Sequence, residues 1–139
     1  MKTSTPNAFL DTNILVYAAL GKDEEPKSVK ANALIRGEDF GISGQILLEF
    51  YNAVTNKGGR PLTPDEAFSW VERFARLPLV PVDAMLVMKG IVVSHRYRIS
   101  HWDGAIVAAA ETLGAETLYT EDLNHGQMYG SVRVINPFL

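Results

Sequence analysis

Short runs of apolar and β-branched residues alternate along this chain with longer segments of helical character. Residues Ala8–Leu10, Phe40–Ser43, Leu79–Val82, Thr117–Thr120 and Val132–Ile135 form the short runs. They are bounded by polar or turn residues and read as buried strands. Between the first two, Asn13–Leu20 and Lys27–Arg36 read as helices on either side of a charged loop, 21–26, the second ending near Gly37. Gln45–Lys57 reads as a helix stopped by Gly58, Gly59 and Pro61. Thr63 is a predicted N-cap, with Pro64 at the first helical position and Asp65 and Glu66 in the first turn of a helix reaching about Arg76. Ala84–Tyr97 and His101–Leu113 complete the helices, the last capped by Ser100 and ended by Gly114. Strands separated mostly by helices predict one α/β domain over residues 1–139. Its central parallel sheet has about five short strands, covered by helices on both faces. Such sheets bind ligands beyond the carboxyl ends of their strands.

Composition narrows the chemistry more than the fold. The chain has 139 residues, 47% hydrophobic and 21% charged, an ordinary globular balance. No apolar run approaches the ~20 residues that span a bilayer, and the N-terminus lacks the pattern of a signal peptide. With no cysteine there is no thiolate metal site, thiol nucleophile or disulfide, which fits a cytoplasmic location. The net charge of −3 is unlike that of a protein that holds nucleic acid by bulk charge neutralisation. A nucleic-acid role would rest on a local basic patch, a bound cation or a partner.

Four acids stand where the predicted topology gathers its strand ends. Asp11 follows the first strand in FLDTNILVYA and, taken alone, is a helix N-cap worth ~1 kcal/mol. Glu49 belongs to the stripe Gln45, Glu49, Asn52 and Asn56, which repeats on one side of an otherwise largely apolar helix. A solvated face and a cleft wall explain that stripe equally well. Asp103 stands three residues after Ser100, a capping-box variant at the positive end of a very apolar helix. Asp122 follows the strand ending at Thr120 and, with Asn124 and Gly126, reads as a turn; its neighbour Glu121 competes for any role given to it. Caps and turns account for each acid singly. A shared sheet edge would bring all four together, where carboxylates ~5 Å apart repel by ~3 kcal/mol per pair at an effective dielectric of 20. Protonation or bridging cations would relieve that, and a hard, all-oxygen donor set suits Mg²⁺ or Mn²⁺.

These segments, in this order, resemble the PIN-domain family, in particular its VapC-type toxin ribonucleases, over nearly the whole chain. FLDTNILVYA looks like the family's opening strand with its first acid, ISGQILLEFYNAVTNK like the helix of the second, and SHWDGAIVAAAETLGAETLYTEDL like the segment of the third and fourth. The resemblance implies a PIN-like nuclease domain. Asp11, Glu49, Asp103 and Asp122 would be its metal ligands and catalytic acids, and Asn13 and Thr120 the residues that support them. It implies Mg²⁺- or Mn²⁺-dependent endonucleolytic cleavage of RNA by in-line attack at phosphorus. Lys57, Arg60, Arg96 and Arg98 are candidates for holding the flanking RNA backbone, although a solvated surface is the commoner place for each. His125 could touch RNA, although a lone loop histidine is usually incidental. Where some relatives carry a further acid two residues after the fourth, this chain has Asn124.

The same resemblance implies a homodimer and a cognate antitoxin partner; the lack of a long apolar run implies no membrane association. Phe68, Trp70 and Phe74 cannot all face one core from a single helix, so part of that helix is expected to pack on a partner. The alternative within the family is a non-catalytic PIN fold that binds RNA or protein. Phosphoacceptor folds fit less well. A receiver domain needs a lysine after its last strand, where this chain closes with RVINPFL. A haloacid-dehalogenase-type phosphatase needs Asp-x-Asp at the first strand, where Asn13 replaces the second acid.

Overall fold

The computed structural model describes residues 6–21, 25–56 and 62–139. The chain begins with β1 (Ala8–Leu10), α1 (Thr12–Leu20), α2 (Pro26–Gly37), β2 (Phe40–Ser43) and α3 (Gly44–Asn56). It continues through α4 (Pro64–Phe74), β3 (Leu79–Val80), α5 (Ala84–Tyr97) and α6 (His101–Leu113) to β4 (Thr117–Tyr119), β5 (Met128–Tyr129) and β6 (Val132–Ile135). These strands form one sheet in the order β3-β2-β1-β4-β6-β5. All pairings are parallel except β5 with β6.

That strand order fixes where the site lies. From β1 the chain steps outward to β2 and then β3, returning through α5 and α6 to pair β4 with the other side of β1. Right-handed crossovers in opposite directions place their helices on opposite faces of a sheet. Accordingly α6 packs against β2, β3, β4 and β6 with α5 outside it, while α1, α2, α3 and α4 pack on one another. The reversal falls between β1 and β4, so Asp11 and Asp122 follow two adjacent parallel strands. Both central strands are apolar, with Phe9, Leu10 and Leu118 wholly buried.

Two glycines let α5 and α6 approach closely. A Cβ on Gly104 would stand 2.2 Å from the Gly90 carbonyl oxygen, and one on Gly90 would meet the Ala105 Cα at 2.8 Å. Gly104 follows Asp103 directly, so this contact also sets where the third acid stands.

The structure corrects several predicted boundaries. A sixth strand, β5, pairs antiparallel with β6 across a two-residue turn at Gly130–Ser131, where Gly130 adopts φ 61°. The Gly-Ser pair is a recognised hairpin signal, but two strand residues are too few to show a period. Strand β3 ends at Val80 because Pro81 has no N–H for the ladder. Helix α4 ends at Phe74, with Ala75 as its cap. The end of the third predicted helix, with Gly58, Gly59 and Pro61, lies outside the described residues.

Candidate active site

Asp11 is the N-cap of α1, and it is more than that. One carboxylate oxygen accepts the Thr12 N–H at 2.7 Å and the other accepts the Thr120 hydroxyl, also at 2.7 Å. The side chain is 6% exposed. Thr120, itself buried, accepts the Asp122 N–H at 3.1 Å through the same hydroxyl, so one side chain ties the first acid to the backbone of the fourth.

Glu49 is oriented from two sides. Its Oε1 accepts the Thr12 hydroxyl at 2.8 Å and its Oε2 accepts the Gln45 amide at 2.9 Å. Gln45 also donates to the Trp102 carbonyl at 3.2 Å, which links α3 to the first turn of α6. In that turn Asp103 donates its N–H to the Ser100 hydroxyl at 3.0 Å, the cap expected from the sequence. Asn13 completes the set by donating to Asp122 at 3.4 Å, a long contact.

All four acids line one cavity of about 280 Å³, with Thr12, Asn13, Gln45, Asn52, Asn56 and Trp102 among its other walls. The whole polar stripe of α3 therefore faces the acids, so it is a cleft wall. Burial, reinforced by the Asp122 and Glu49 charges, pushes the Asp11 carboxyl from 3.8 up to about 7, against the opposing hydrogen bonds from Thr120 and Thr12. Burial and the charges of Asp122 and Glu49 also raise Asp103, with the Ser100 hydrogen bond acting the other way.

Contacts on the far side of the loop set Glu121 apart from Asp122. Glu121 accepts the Tyr17 hydroxyl and pairs with Lys27 at 2.8 Å, while Asp122 lines the cavity. Asn124 donates to Gln127 at 2.9 Å and its N–H to the Tyr129 hydroxyl, so it acts as a turn residue. His125 accepts the Asn136 N–H at 3.0 Å and anchors the C-terminal segment.

The proposed basic contacts are not gathered in the same way. Arg96 and Arg98 are exposed and do not line the acidic cavity; Arg96 lies over the Tyr97 ring, and Arg98 is the left-handed C-cap of α5. Lys57 and Arg60 lie outside the described residues. Thr12, Gln45 and Trp102 are site residues that sequence reasoning missed. The signal for Gln45 was its place in the α3 stripe; Thr12 and Trp102 had none.

The sequence matches the PIN domain family over residues 8–130. The chain belongs to that family. Solved structures agree on the PIN fold. VapC20 of Mycobacterium tuberculosis, a toxin that cleaves the sarcin–ricin loop, superposes with a TM-score of 0.65 at 18% identity, over 83% of this chain and 89% of that one. A toxin–antitoxin complex from Klebsiella pneumoniae gives 0.68 at 16%, over 94% and 97%. VapBC2 of Rickettsia felis, bound to a DNA fragment from its promoter, gives 0.61 at 20%, over 91% and 96%. At these identities the likeness is one of fold. Among curated proteins no sequence match was found.

The donor chemistry of this PIN domain's cavity fits a hard divalent cation, since the polar groups around it are carboxylates, amides and hydroxyls. Among the described residues no group of three or more His, Asp or Glu side chains is gathered closely enough to hold an ion as it stands. The like charges now felt by Asp11 and Asp103 would be offset by a cation between them.

Proposed function

We propose that this PIN domain is a Mg²⁺- or Mn²⁺-dependent endoribonuclease acting as the toxin of a toxin–antitoxin pair. One observation carries the reading. Four carboxylates from four separate segments line one cavity, and the most buried of them is forced toward neutrality by its surroundings. Asp11, Glu49, Asp103 and Asp122 would hold the metal. When bound, the ion would supply Lewis-acid polarisation of a phosphodiester and offset the charge of the cavity.

The chain's own residues have separable tasks. Thr120 and the Thr12 N–H fix both oxygens of Asp11; the Thr12 hydroxyl and Gln45 fix those of Glu49; Asn13 steadies Asp122. Hydrogen bonds of this kind orient ligating carboxylates and preserve their geometry. A cognate antitoxin, an RNA substrate, a homodimer and a cytoplasmic setting complete the proposal. Their support is the family and the complexes of its structural neighbours.

The open spacing of the acids favours one alternative, a PIN fold that binds RNA or protein without cutting. Incubating purified protein with a mixed RNA pool in Mg²⁺, Mn²⁺ or EDTA, beside Asp11→Asn, separates the two. Metal-dependent cleavage lost in the variant supports the nuclease. Absence of both cleavage and calorimetric metal binding supports the binding module.

A further inference from the structure

Trp102 stands on the rim of the acidic cavity, one residue before Asp103, with 62% of its surface exposed. It also lines a larger neighbouring groove of about 700 Å³ between α3, α4, α5 and the start of α6. Leu48, Tyr51, Phe68, Val87 and Ile91 are among the walls of that groove, and none of its lining residues is acidic. One contact fixes the Trp102 backbone and another lies against its ring. Its carbonyl accepts the Gln45 amide that also bonds Glu49, and the His101 ring packs on its indole with centroids 4.9 Å apart.

We propose that the Trp102 indole, buttressed by His101, is a stacking platform for an unpaired RNA base next to the phosphate in the acidic cavity. This rests on the nuclease reading above and specifies how its substrate is held. Every base offers a π-face, so single-stranded sites pair aromatic side chains with a nearby backbone-binding region. Here the aromatic face and the acidic cavity share a wall. The platform selects unpaired over duplex RNA and tolerates any base on the ring.

The chain's two tryptophans make the test direct. In Trp70→Phe, Trp102 is the sole indole, and titration with a short mixed-sequence single-stranded RNA in Ca²⁺ is expected to quench its fluorescence. Trp102→Ala should raise KM for cleavage about tenfold, equivalent to ~1.4 kcal/mol, with kcat little changed. Trp102→Tyr should recover most of that loss. Leu48→Ser and Phe68→Ser, which line the groove but not the acidic cavity, should leave KM unaltered. Metal-dependent, Asp11-dependent cleavage with no quenching and an unchanged KM in Trp102→Ala would overturn the platform and leave the nuclease standing. Equal weakening by Leu48→Ser and Trp102→Ala would overturn it in favour of a groove-wide contact. Failure of the native protein to bind or cut any RNA would overturn both.

Discussion

Replacing Asp11 by Asn removes a charge from a nearly inaccessible position while preserving the shape of the side chain. The amide oxygen can still accept the Thr12 N–H, and the amide nitrogen can donate to the Thr120 hydroxyl, which has a second lone pair beside the one given to Asp122. In metal-free native protein the carboxyl titrates at about 7, against 3.8 in the unfolded chain. Between those values the folded state holds a proton that the unfolded state has released, so stability falls as pH rises through the interval. At ~1.4 kcal/mol per pH unit the full loss is about 4 kcal/mol, complete above about pH 7. The Asn variant has no such term. Urea unfolding in EDTA should show variant and native protein nearly equal near pH 4, with the variant more stable by about 4 kcal/mol near pH 8. That difference corresponds to a Tm shift on the order of 10 °C for a domain of this size. Adding Mn²⁺ at pH 8 should stabilise the native protein and leave the variant unchanged. A variant less stable than native at pH 8, or a difference independent of pH, would refute the reasoning and leave Asp11 as a comfortably ionised cap.

Four further substitutions probe how the site is held. Asp122→Asn should abolish cleavage and weaken Mn²⁺ binding in calorimetry, whereas Glu121→Gln should retain both, since Glu121 faces Tyr17 and Lys27; the reverse result would reassign the fourth acid. Thr120→Val should cost roughly 1–3 kcal/mol in denaturant unfolding, because the buried Asp11 oxygen loses its donor and the Asp122 N–H its acceptor. Gly104→Ala should destabilise by roughly 1–3 kcal/mol or more, since the added methyl meets the Gly90 carbonyl and α6 must move outward. Because Asp103 moves with that helix, metal affinity measured by calorimetry should fall as well.

The alternation of short strands and helices was legible because strand ends and caps are written in local residues. Orientation was not. Nothing within YTED distinguishes Glu121 from Asp122; the contacts of Glu121 with Lys27 and Tyr17, on α2 and α1, separate the two side chains. Likewise the α3 stripe was ambiguous until α6 stood opposite it with Asp103 and Trp102. Hydrophobicity also says that a side chain belongs out of water without saying what covers it. Leu48 on the largely apolar α3 is 74% exposed. On α5, Met85, Val87, Met88, Ile91 and Val92 are exposed together. On α4 the three aromatics divide as the helical period requires: Phe74 is buried, Trp70 is half-buried against it, and Phe68 is exposed on the groove.

The choice between cap and ligand at Asp11 turns on magnitudes. An N-cap needs one oxygen near a backbone N–H, contributes ~1 kcal/mol, and can do so from an exposed side chain. Serine or asparagine would serve as well without burying a charge. Asp11 instead sits where ionisation costs about 4 kcal/mol at neutral pH, a cost to which the charges of Glu49 and Asp122 contribute. That cost stands after the Thr12 N–H and the Thr120 hydroxyl have already lowered it, so capping does not offset it. A cation in the cavity would offset it and would favour an acid over asparagine at this position. The misfit between what the cap contributes and what the buried charge costs is the physical reason to read FLDTN as part of a metal site.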